Sequence, residues 1–394
     1  MKKILISLIV LLLVVGCGSK SVSEKNVSSK KKDSDASTSV PSEYNDSGIF
    51  KDYYESAYKK LMSMNIDEKI GQMLLVRMDD TRVDSIINDY HVSGFVMFSR
   101  DFKNKSKEEV KSEIDKYQSM SKIPLLFTVD EEGGSVVRIS SNPKLRDSVF
   151  KSPQDIYNES GMDGIISDTK EKSELLSSLG INVNLAPVAD VSTNASDFIY
   201  DRSFGRDATE TSKYIEAVVS TYNESGLGSC LKHFPGYGNN VDTHTGVAID
   251  NRDYSVFEES DFLPFKAGIE AGVPSILVSH NIVKSMDSVP SSLSVRVHKI
   301  LRDDLGFTGV IITDDLEMDA ISKYVDNANV EAVKAGNDLL ITTDYETSFN
   351  DIKEAYNNNE IDDITINKAV FRVLAWKYSL GVLHDWYRIF KEVL

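Results

Sequence analysis

One segment of the chain combines residue types and spacings that suit acid–base chemistry. It covers residues 232–245 and reads Lys-His-Phe-Pro-Gly-Tyr-Gly-Asn-Asn-Val-Asp-Thr-His-Thr. One Pro and two Gly in four positions predict an irregular loop, in which the carboxylate of Asp242 can reach the imidazole of His244. A carboxylate on one ring nitrogen selects the tautomer and raises the basicity of the other nitrogen. The pair is therefore a candidate general acid/base, although a purely structural loop remains an alternative.

Carboxylates also follow two apolar runs of the chain. Residues 309–313 lead directly into Asp314 and Asp315, and residues 124–129 lead into Asp130, which precedes two glutamates and a Gly-Gly pair. Asp314 has only apolar residues before it, so we interpret it as functional. Capping of the following helix is the alternative, and it suits Asp315 better.

Two arginines accompany these acids, and the loop holds a second histidine. Arg138 follows the Gly-Gly pair, and Arg202 stands in Asp-Arg-Ser-Phe-Gly-Arg. Both arginines are either surface charges or forked donors that, opposite acids, hold the hydroxyl groups of a neutral sugar. A zinc site is disfavoured, because His233 and His244 lack the short spacing of known zinc motifs and no Cys joins them. We expect neither a metal nor an organic cofactor.

The elements that must position these residues alternate between short apolar runs and amphipathic stretches. Most runs are aliphatic or β-branched on both faces, as buried parallel strands are. The runs are 73–76, 92–99, 124–130, 181–186, 228–233, 275–279, 309–313 and 338–342. Helical patterns cover 107–120, 170–179, 209–225, 261–271 and 296–305, and a last one ends at Gly381. Eight such units predict an α/β fold, a (β/α)8 TIM barrel, with a doubly wound open sheet as the alternative.

The candidate residues favour the barrel, because they cluster at the carboxyl ends of the candidate strands. They are Asp130 on the third strand, Lys232 and His233 on the fifth, His280 on the sixth and Asp314 on the seventh. In a barrel those ends converge on one mouth, where catalysis takes place. We therefore predict a single catalytic domain over residues 52–394.

The charge balance excludes some partners. The 394 residues include 44 Lys and Arg against 61 Asp and Glu, a formal net charge of −17. A nucleic-acid binder needs a basic face, so nucleic acid is excluded as a partner. We expect the chain to act as a monomer.

The amino terminus predicts export and a lipid anchor. Two lysines precede an apolar run at 4–15, which is too short for a comfortable membrane span, and small residues then lead into Cys17. This pattern resembles the lipobox of bacterial lipoproteins, in which the Cys is lipidated; an ordinary signal peptide is the alternative. We predict a signal peptide at 1–16, then a lipidated Cys17 and a disordered Ser-rich tether at 17–51, on the outer face of the cytoplasmic membrane. Cys230, then without an intramolecular partner, is expected to be buried.

Taken together, the motifs resemble family 3 of the glycoside hydrolases, and most closely its β-N-acetylglucosaminidase branch. The resemblance covers about residues 60–385 with order and spacing kept. Besides the loop at 232–244, the motifs are Asp67–Met73, Val129–Gly134, Asn184–Val191, Asp201–Gly205 and Leu305–Leu316. The strand-end Asp is typical of the whole family, whereas Lys-His-Phe-Pro-Gly followed by Asp-Thr-His is specific to this branch.

The resemblance implies a role for each candidate residue. Asp314 would be the nucleophile that forms a covalent glycosyl-enzyme. His244 would be the general acid/base and Asp242 its partner, in place of the usual second carboxylate. The residues that would bind the sugar in the terminal subsite are Asp130, Arg138, Arg202, Lys232 and His233.

The chain departs from the family pattern at three places. Tyr237 stands where many relatives have His, the stretch 239–241 is about one residue shorter than usual, and Ser135 replaces a common Arg. The first two changes fall in the loop that carries His244, so they concern its resting position and the leaving-group specificity. We expect activity to survive all three changes.

We therefore expect a lipid-anchored exo-β-N-acetylglucosaminidase that removes terminal GlcNAc from peptidoglycan fragments outside the cytoplasmic membrane. One alternative keeps the barrel and changes the reaction, to a phosphorylase in which phosphate replaces water or to a β-glucosidase. A non-enzymatic sugar-binding lipoprotein is the other. The presence of Asp314, Asp242 and His244 together speaks against that last alternative.

Overall fold

The computed structural model describes residues 39–240, 248–318, 321 and 325–385. Cys17, Asp242 and His244 lie outside the described residues. Within the described part, no helix is both long enough and apolar enough to cross a membrane.

Eight parallel strands form the barrel that the alternating pattern predicted. In chain order they are β1 (Leu74–Arg77), β2 (Gly94–Met97), β3 (Leu126–Val129), β4 (Val183–Asn184), β5 (Gly228–Phe234), β6 (Ser275–Val278), β7 (Val310–Thr313) and β8 (Leu340–Thr342). From β1 to β7 each strand pairs with the next one along the chain, and β8 pairs with β1. A parallel bridge between Ile312 and Leu339 joins β7 to the start of β8. The ring is therefore complete, and the open-sheet alternative was wrong.

The strand register shows which side chains share a face of the barrel. Arg77 of β1 lies beside Val96 of β2, and Val96 lies beside Thr128 of β3. Paired residues of parallel strands point to the same side of the sheet, and side chains alternate along a strand. Arg77 and Thr128 therefore share a face, and Asp130 follows on that face two residues beyond Thr128.

Helices connect the strands on the outside of the ring. The α-helices are Tyr54–Met62, Ile66–Gln72, Val83–Asn88, Ser99–Phe102, Lys107–Met120, Pro153–Ser178, Ala208–Ser225, Tyr254–Val256, Phe262–Glu270, Val295–Lys299, Ala328–Ala335, Tyr345–Asn357 and Asp363–Ser379. Two π-helical turns, Phe257–Asp261 and Ile300–Asp304, continue helices. Two further short strands form a separate parallel pair. Ile249–Asp250, which comes after β5 in the chain, pairs with Ile282–Val283, which comes after β6.

The helix starts follow local capping chemistry. Lys107–Met120 begins where it was predicted, because Ser106 and Glu109 form a reciprocal capping box. Pro153–Ser178 is much longer than the predicted 170–179. Its two stretches meet at Gly161, whose φ of 62° is not helical, and the polar first stretch has too few apolar residues to show a periodic pattern.

Contacts with the barrel begin upstream of residue 52. Tyr44 is 8% exposed, and its ring centroid lies 5.2 Å from that of Phe371 on the last helix. Phe50 is also buried, at 3% exposed. These two aromatic side chains bury enough apolar surface to hold the short segment against the barrel domain. The sequence did not indicate this contact, because the residues around them are mostly polar. Cys230 is a free, fully buried thiol, as expected, and burial raises its pKa to about 12.

Candidate active site

Four charged side chains at the carboxyl ends of β3 and β5 and in a nearby loop form one network. Nζ of Lys232 lies 2.6 Å from Oδ1 of Asp130 and 2.6 Å from Oε1 of Glu132. Arg202 donates two hydrogen bonds to the same Glu132, from Nε to Oε2 at 3.0 Å and from Nη2 to Oε1 at 2.8 Å, which is the geometry of a bidentate pair. Two carboxylates and two cations balance, so the network suits a neutral ligand better than a charged one.

The charges of the network hold its members ionised. Burial by itself would raise the pKa of the Glu132 carboxyl, but the charges of Lys232 and Arg202 outweigh burial and hold that pKa well below its usual range. Burial would lower the pKa of Lys232, and Asp130 and Glu132 more than offset that effect. Fixed charges of both signs therefore stand ready at neutral pH, without reorganisation when a ligand binds.

His233 is held by a buried carboxylate from the loop after β4. Oδ2 of Asp190 lies 2.7 Å from Nδ1 of His233 and also accepts the backbone N–H of that residue at 3.2 Å. Oδ1 of the same Asp190 accepts the backbone N–H of Tyr237 at 2.7 Å. Nε2 of His233 lies 3.3 Å from Nη2 of Arg202. The imidazole is thus fixed on one side and joins the charged network on the other.

Arg138 stands at the edge of the network, and a buried glutamate shapes its turn. Nη2 of Arg138 lies 3.9 Å from Oδ2 of Asp130, a loose ion pair. Oε2 of Glu131 accepts the backbone N–H groups of Arg138 and Ile139 at 2.7 Å each. Glu131 is therefore occupied in building the loop that carries Arg138, and it is not free to bind a ligand.

Asp314 follows β7, four strands around the ring from β3. Its backbone N–H donates to the carbonyl oxygen of Val278 at 3.1 Å, which continues the pairing of β6 with β7. Its Oδ1 accepts the backbone N–H of Asp315 at 2.9 Å. The side chain is half-buried at the mouth of the barrel. A carboxylate on β7 therefore faces the mouth from the side opposite the β3 group.

The side chains of half-buried Asp315 and exposed Glu317 contact each other in the turn that follows Asp314. Burial and the neighbouring Glu317 carboxylate raise the pKa of Asp315 to about 8. Burial alone would raise the pKa of Glu317, but hydrogen bonds from Asp315 and from the backbone of Thr343 and Asp344 lower it. The raised pKa favours the protonated form of Asp315, whose proton is donated to Glu317. Oδ1 of Asp315 also accepts the backbone N–H of Glu317 at 3.1 Å, a capping-type hydrogen bond to the turn that follows, as was expected for this residue.

His280, at the end of β6, has a structural role. Its Nδ1 lies 2.7 Å from Oγ of Ser292, and its Nε2 lies 2.9 Å from the carbonyl oxygen of Asp315. The ring is fully buried. His280 thus stabilises the turn after β7, which carries Asp314 and Asp315.

The structure brings Asp130, Arg202, Lys232 and His233 into one connected group, with Arg138 at its edge. Asp242 and His244 lie outside the described residues, so the predicted dyad stays a prediction. Two members of the group were missed by sequence reasoning: Glu132, which was noticed only as part of an acidic run, and Asp190. Asp190 lies several residues beyond the end of β4 but inside the motif Asn184–Val191, and that motif was the available signal.

Among the described residues, no group of three or more His, Cys, Asp or Glu side chains could hold a metal ion. The network instead pairs acids with cations, which is the arrangement that binds sugar hydroxyl groups from both donor and acceptor sides.

Known proteins resemble this chain along most of its length. A family profile described as "Glycosyl hydrolase family 3 N terminal domain" matches residues 65–376. "Beta-hexosaminidase A" of Pseudoalteromonas piscicida is 31% identical over 334 residues, which is 76% of this chain and 55% of that protein. "Beta-hexosaminidase" of Nitrosomonas eutropha is 31% identical over 266 residues, 64% of this chain and 74% of that protein.

A solved structure agrees with the sequence comparisons. The family 3 β-N-acetylglucosaminidase of Paenibacillus sp. str. FPU-7 superposes with a TM-score of 0.77 at 26% identity. The match covers 82% of this chain and 64% of that one. The chain therefore spans little more than half of the Pseudoalteromonas protein and under two thirds of the Paenibacillus protein.

Proposed function

The chain belongs to glycosyl hydrolase family 3, and from that premise we propose that it is a retaining exo-β-N-acetylglucosaminidase. The observation that carries the proposal is the placement of two groups across one mouth: the Asp314 carboxylate after β7, and the balanced network of Asp130, Glu132, Lys232 and Arg202 after β3 and β5. The first group suits attack on an anomeric carbon, and the second suits binding of neutral hydroxyl groups. The names of the hexosaminidase relatives support the choice of sugar.

In the proposed first step, a carboxylate oxygen of Asp314 attacks the anomeric carbon. The bond from that carbon to the leaving oxygen breaks, and His244 donates a proton to this oxygen. In the second step, His244 takes a proton from water, the water oxygen attacks the anomeric carbon, and the ester to Asp314 breaks. The roles of Asp242 and His244 rest on the sequence motif.

The sugar-binding group acts through electrostatics and orientation. The carboxylate of Asp130 accepts hydroxyl protons, whereas Lys232 and Arg202 donate to hydroxyl oxygens. With the Nδ1 proton of His233 donated to Asp190, its Nε2 carries a lone pair that faces Nη2 of Arg202 at 3.3 Å and helps to orient that guanidinium. Because every member is held by a partner, little conformational entropy is lost when the sugar binds.

We further propose that the leaving group belongs to a peptidoglycan fragment, which carries carboxylates. Support comes from Arg77, on the same barrel face as Thr128 and Asp130. Among the described residues, two arginines, Arg77 and Arg296, have no carboxylate oxygen within 4.0 Å of a side-chain nitrogen. Arg296 is exposed to solvent, whereas Arg77 is half-buried.

A cavity beside the mouth gives Arg77 access to a ligand. Its volume is about 560 Å³, and Arg77, Met97 and Thr343 are among its walls. The other charged residues along it pair as Arg82–Asp79, Arg100–Asp101 and Lys105–Glu113, apart from the exposed Asp80. Cζ of Arg77 lies 4.4 Å from the centre of the Phe98 ring, and Cζ of Arg138 lies 5.4 Å from the same centre. The Phe98 ring therefore contacts both Arg77, which lines the cavity, and Arg138, which is proposed to bind the sugar.

We propose also that the chain is anchored to the outer face of the membrane through lipid on Cys17. The support is the sequence of the first 17 residues. In the native host, the wild-type chain should enter the detergent phase on Triton X-114 partitioning, and Cys17→Ala should stay in the aqueous phase. An unlipidated wild-type Cys17 by mass spectrometry would contradict the anchor and leave the proposed activity intact.

The first experiment compares two chromogenic substrates with the full chain in detergent. We expect release from the β-GlcNAc glycoside and little from the matching β-glucoside. The same reaction in phosphate buffer should yield free GlcNAc. Accumulation of a sugar 1-phosphate would change the reaction to phosphorolysis, and release from neither substrate would overturn the proposal.

A further inference from the structure

The residues on both sides of the segment 241–247 are tied to each other. Nδ2 of Asn240 donates to the carbonyl oxygen of Tyr237 and to Oδ2 of Asp250, each at 2.8 Å. On the return side, the carbonyl oxygen of Ala248 accepts the backbone N–H of Ile282 at 2.8 Å. The chain therefore leaves and re-enters at fixed points, and seven residues that include Asp242 and His244 run between them.

Arg252 stands at the centre of these ties. Its Nη2 lies 2.7 Å from Oδ2 of Asp250, and its Nη1 lies 3.0 Å from Oδ1 of Asp261. Nη2 also donates to the carbonyl oxygen of Gly236 at 3.3 Å, and the guanidinium lies over the ring of Phe257 at 4.3 Å. Both carboxylates are 2% exposed, so this clamp is shielded from water and from salt.

Two glycines of the loop are required by the clamp. A Cβ on Gly236 would lie 2.3 Å from Oδ1 of Asp261, and a Cβ on Gly238 would lie 2.4 Å from Cζ of Arg252. Both glycines also have positive φ, at 125° and 53°. The Gly-Tyr-Gly sequence thus lets the backbone approach the guanidinium closely, and Arg252 then determines where that backbone lies.

The same backbone reaches the sugar-binding group. Tyr237, between the two glycines, donates its N–H to Asp190, and Asp190 holds His233. One rigid path therefore runs from His233 through Asp190 and Tyr237 to the start of the segment that carries His244.

We infer that Arg252 is a positioning residue for the acid/base step: it fixes both ends of segment 241–247 relative to the sugar-binding group. The inference rests on the proposed function. Arg252 acts through the position of the acid/base residue and does not contact the reacting atoms. Displacing a catalytic group by about 1 Å can cost on the order of a hundredfold in rate, so a clamp at the base of its loop affects catalysis.

The test compares leaving groups, because protonation matters for poor leaving groups and hardly for good ones. In the full chain, Arg252→Met should lower kcat/KM for methyl β-GlcNAc by roughly a hundredfold, and for the 2,4-dinitrophenyl glycoside by less than about threefold. Arg252→Lys, which keeps the charge but not the fork, should fall between wild type and Arg252→Met. The inhibition constant of GlcNAc should change by less than about threefold, because Asp130, Glu132, Lys232 and Arg202 hold one another through ion pairs that do not involve Arg252.

Arg302 offers a matched control at the amino-terminal ends of β7 and β8. It also pairs with a buried carboxylate, Asp338, donates to the carbonyl oxygens of Phe307 and Gly309, and lies over the ring of Phe307. Arg302→Met should lower the melting temperature as Arg252→Met does and should affect both glycosides equally. If Arg252→Met does not fold, Gly238→Ala displaces the same guanidinium and should give the same leaving-group dependence.

Equal losses on both glycosides in the Arg252 variants would overturn the inference and leave the proposed function standing. The same leaving-group dependence in Arg302→Met would also overturn it, since the effect would then follow from lost stability. A wild-type chain that cleaves neither glycoside would overturn the proposed function, and the inference with it.

Discussion

Nδ1 of His233 lies 2.7 Å from Oδ2 of Asp190, although the two residues follow different strands of the barrel. Asp190 is 1% exposed and accepts two backbone N–H groups besides the imidazole. The carboxylate thus fixes the tautomer of His233 and the start of the following loop together. A ligand that meets His233 meets a ring whose orientation Asp190 has already determined.

Asp190→Asn tests this relationship. An amide of the same shape places an N–H₂ group or a neutral oxygen beside the imidazole and the two backbone donors, so the ring loses its fixed orientation. We expect the inhibition constant of GlcNAc to rise about tenfold, a loss of about 1.4 kcal/mol. The exposed Asp201→Asn is the control. Unchanged affinity in Asp190→Asn would show that the orientation of His233 does not matter for sugar binding.

Asp314→Asn tests the proposed nucleophile. Asparagine keeps an oxygen that can accept the N–H of Asp315, so the melting temperature should stay close to that of wild type. Turnover should fall by roughly a thousandfold or more, because an amide oxygen is a poor nucleophile. Mass spectrometry after a slow-deglycosylating substrate should show a sugar adduct on wild type and none on the variant. A fully active Asp314→Asn would make the assignment wrong.

Glu132→Gln tests the charged network. The variant leaves Lys232 and Arg202 buried with one carboxylate, Asp130, between them, and breaking a buried ion pair on one side costs about 3–5 kcal/mol. Denaturant unfolding should show a loss in that range. Glu171→Gln breaks a pair with Arg146 whose carboxylate is 55% exposed, so it should cost less than about 1 kcal/mol. Equal costs for the two variants would argue that solvent reaches the network.

Asp315→Asn tests the protonated carboxyl behind the nucleophile. The pKa of Asp315 is raised from 3.8 to about 8, so folding takes up a proton between those values. The resulting stabilisation is fully present below about pH 4 and is lost as the pH rises through about 8. The melting temperature of wild type relative to Asp315→Asn should therefore decrease steadily from pH 5 to pH 9. A melting-temperature difference that does not change with pH would contradict the raised pKa of Asp315.

Arg77→Met tests recognition of an anionic leaving group. Methionine keeps contact with Phe98 but removes the charge, so kcat/KM should fall about tenfold for a GlcNAc glycoside whose leaving group carries a carboxylate. The matching neutral ester should react equally with wild type and variant. The exposed Arg296→Met should change neither rate. Equal rates on the charged substrate would remove the support that Arg77 lends to a peptidoglycan fragment.

The sequence pattern predicted those elements accurately whose residues are buried throughout or whose ends carry a capping motif. Apart from Arg77 at the end of β1, every residue of the barrel strands is buried, so most strands appeared as apolar runs, and the capped helix Lys107–Met120 was predicted to the residue. The helix Pro153–Ser178 was not, because its first stretch is polar and it bends at Gly161. The buried Tyr44 was missed for a related reason: a single aromatic residue within a polar stretch gives no periodic signal.

The sequence by itself determined the barrel, the strand-end position of Asp130, Lys232, His233 and Asp314, and membership of the family, since these depend on residue order and local periodicity. Only the tertiary structure decided which charges meet. Glu132 was one acid among three adjacent ones until folding placed it between Lys232 and Arg202, which lie 100 and 70 positions away. Asp190 and Arg252 owe their roles to contacts between separate loops, and such contacts depend on three-dimensional proximity, which residue types and spacing along the chain do not encode.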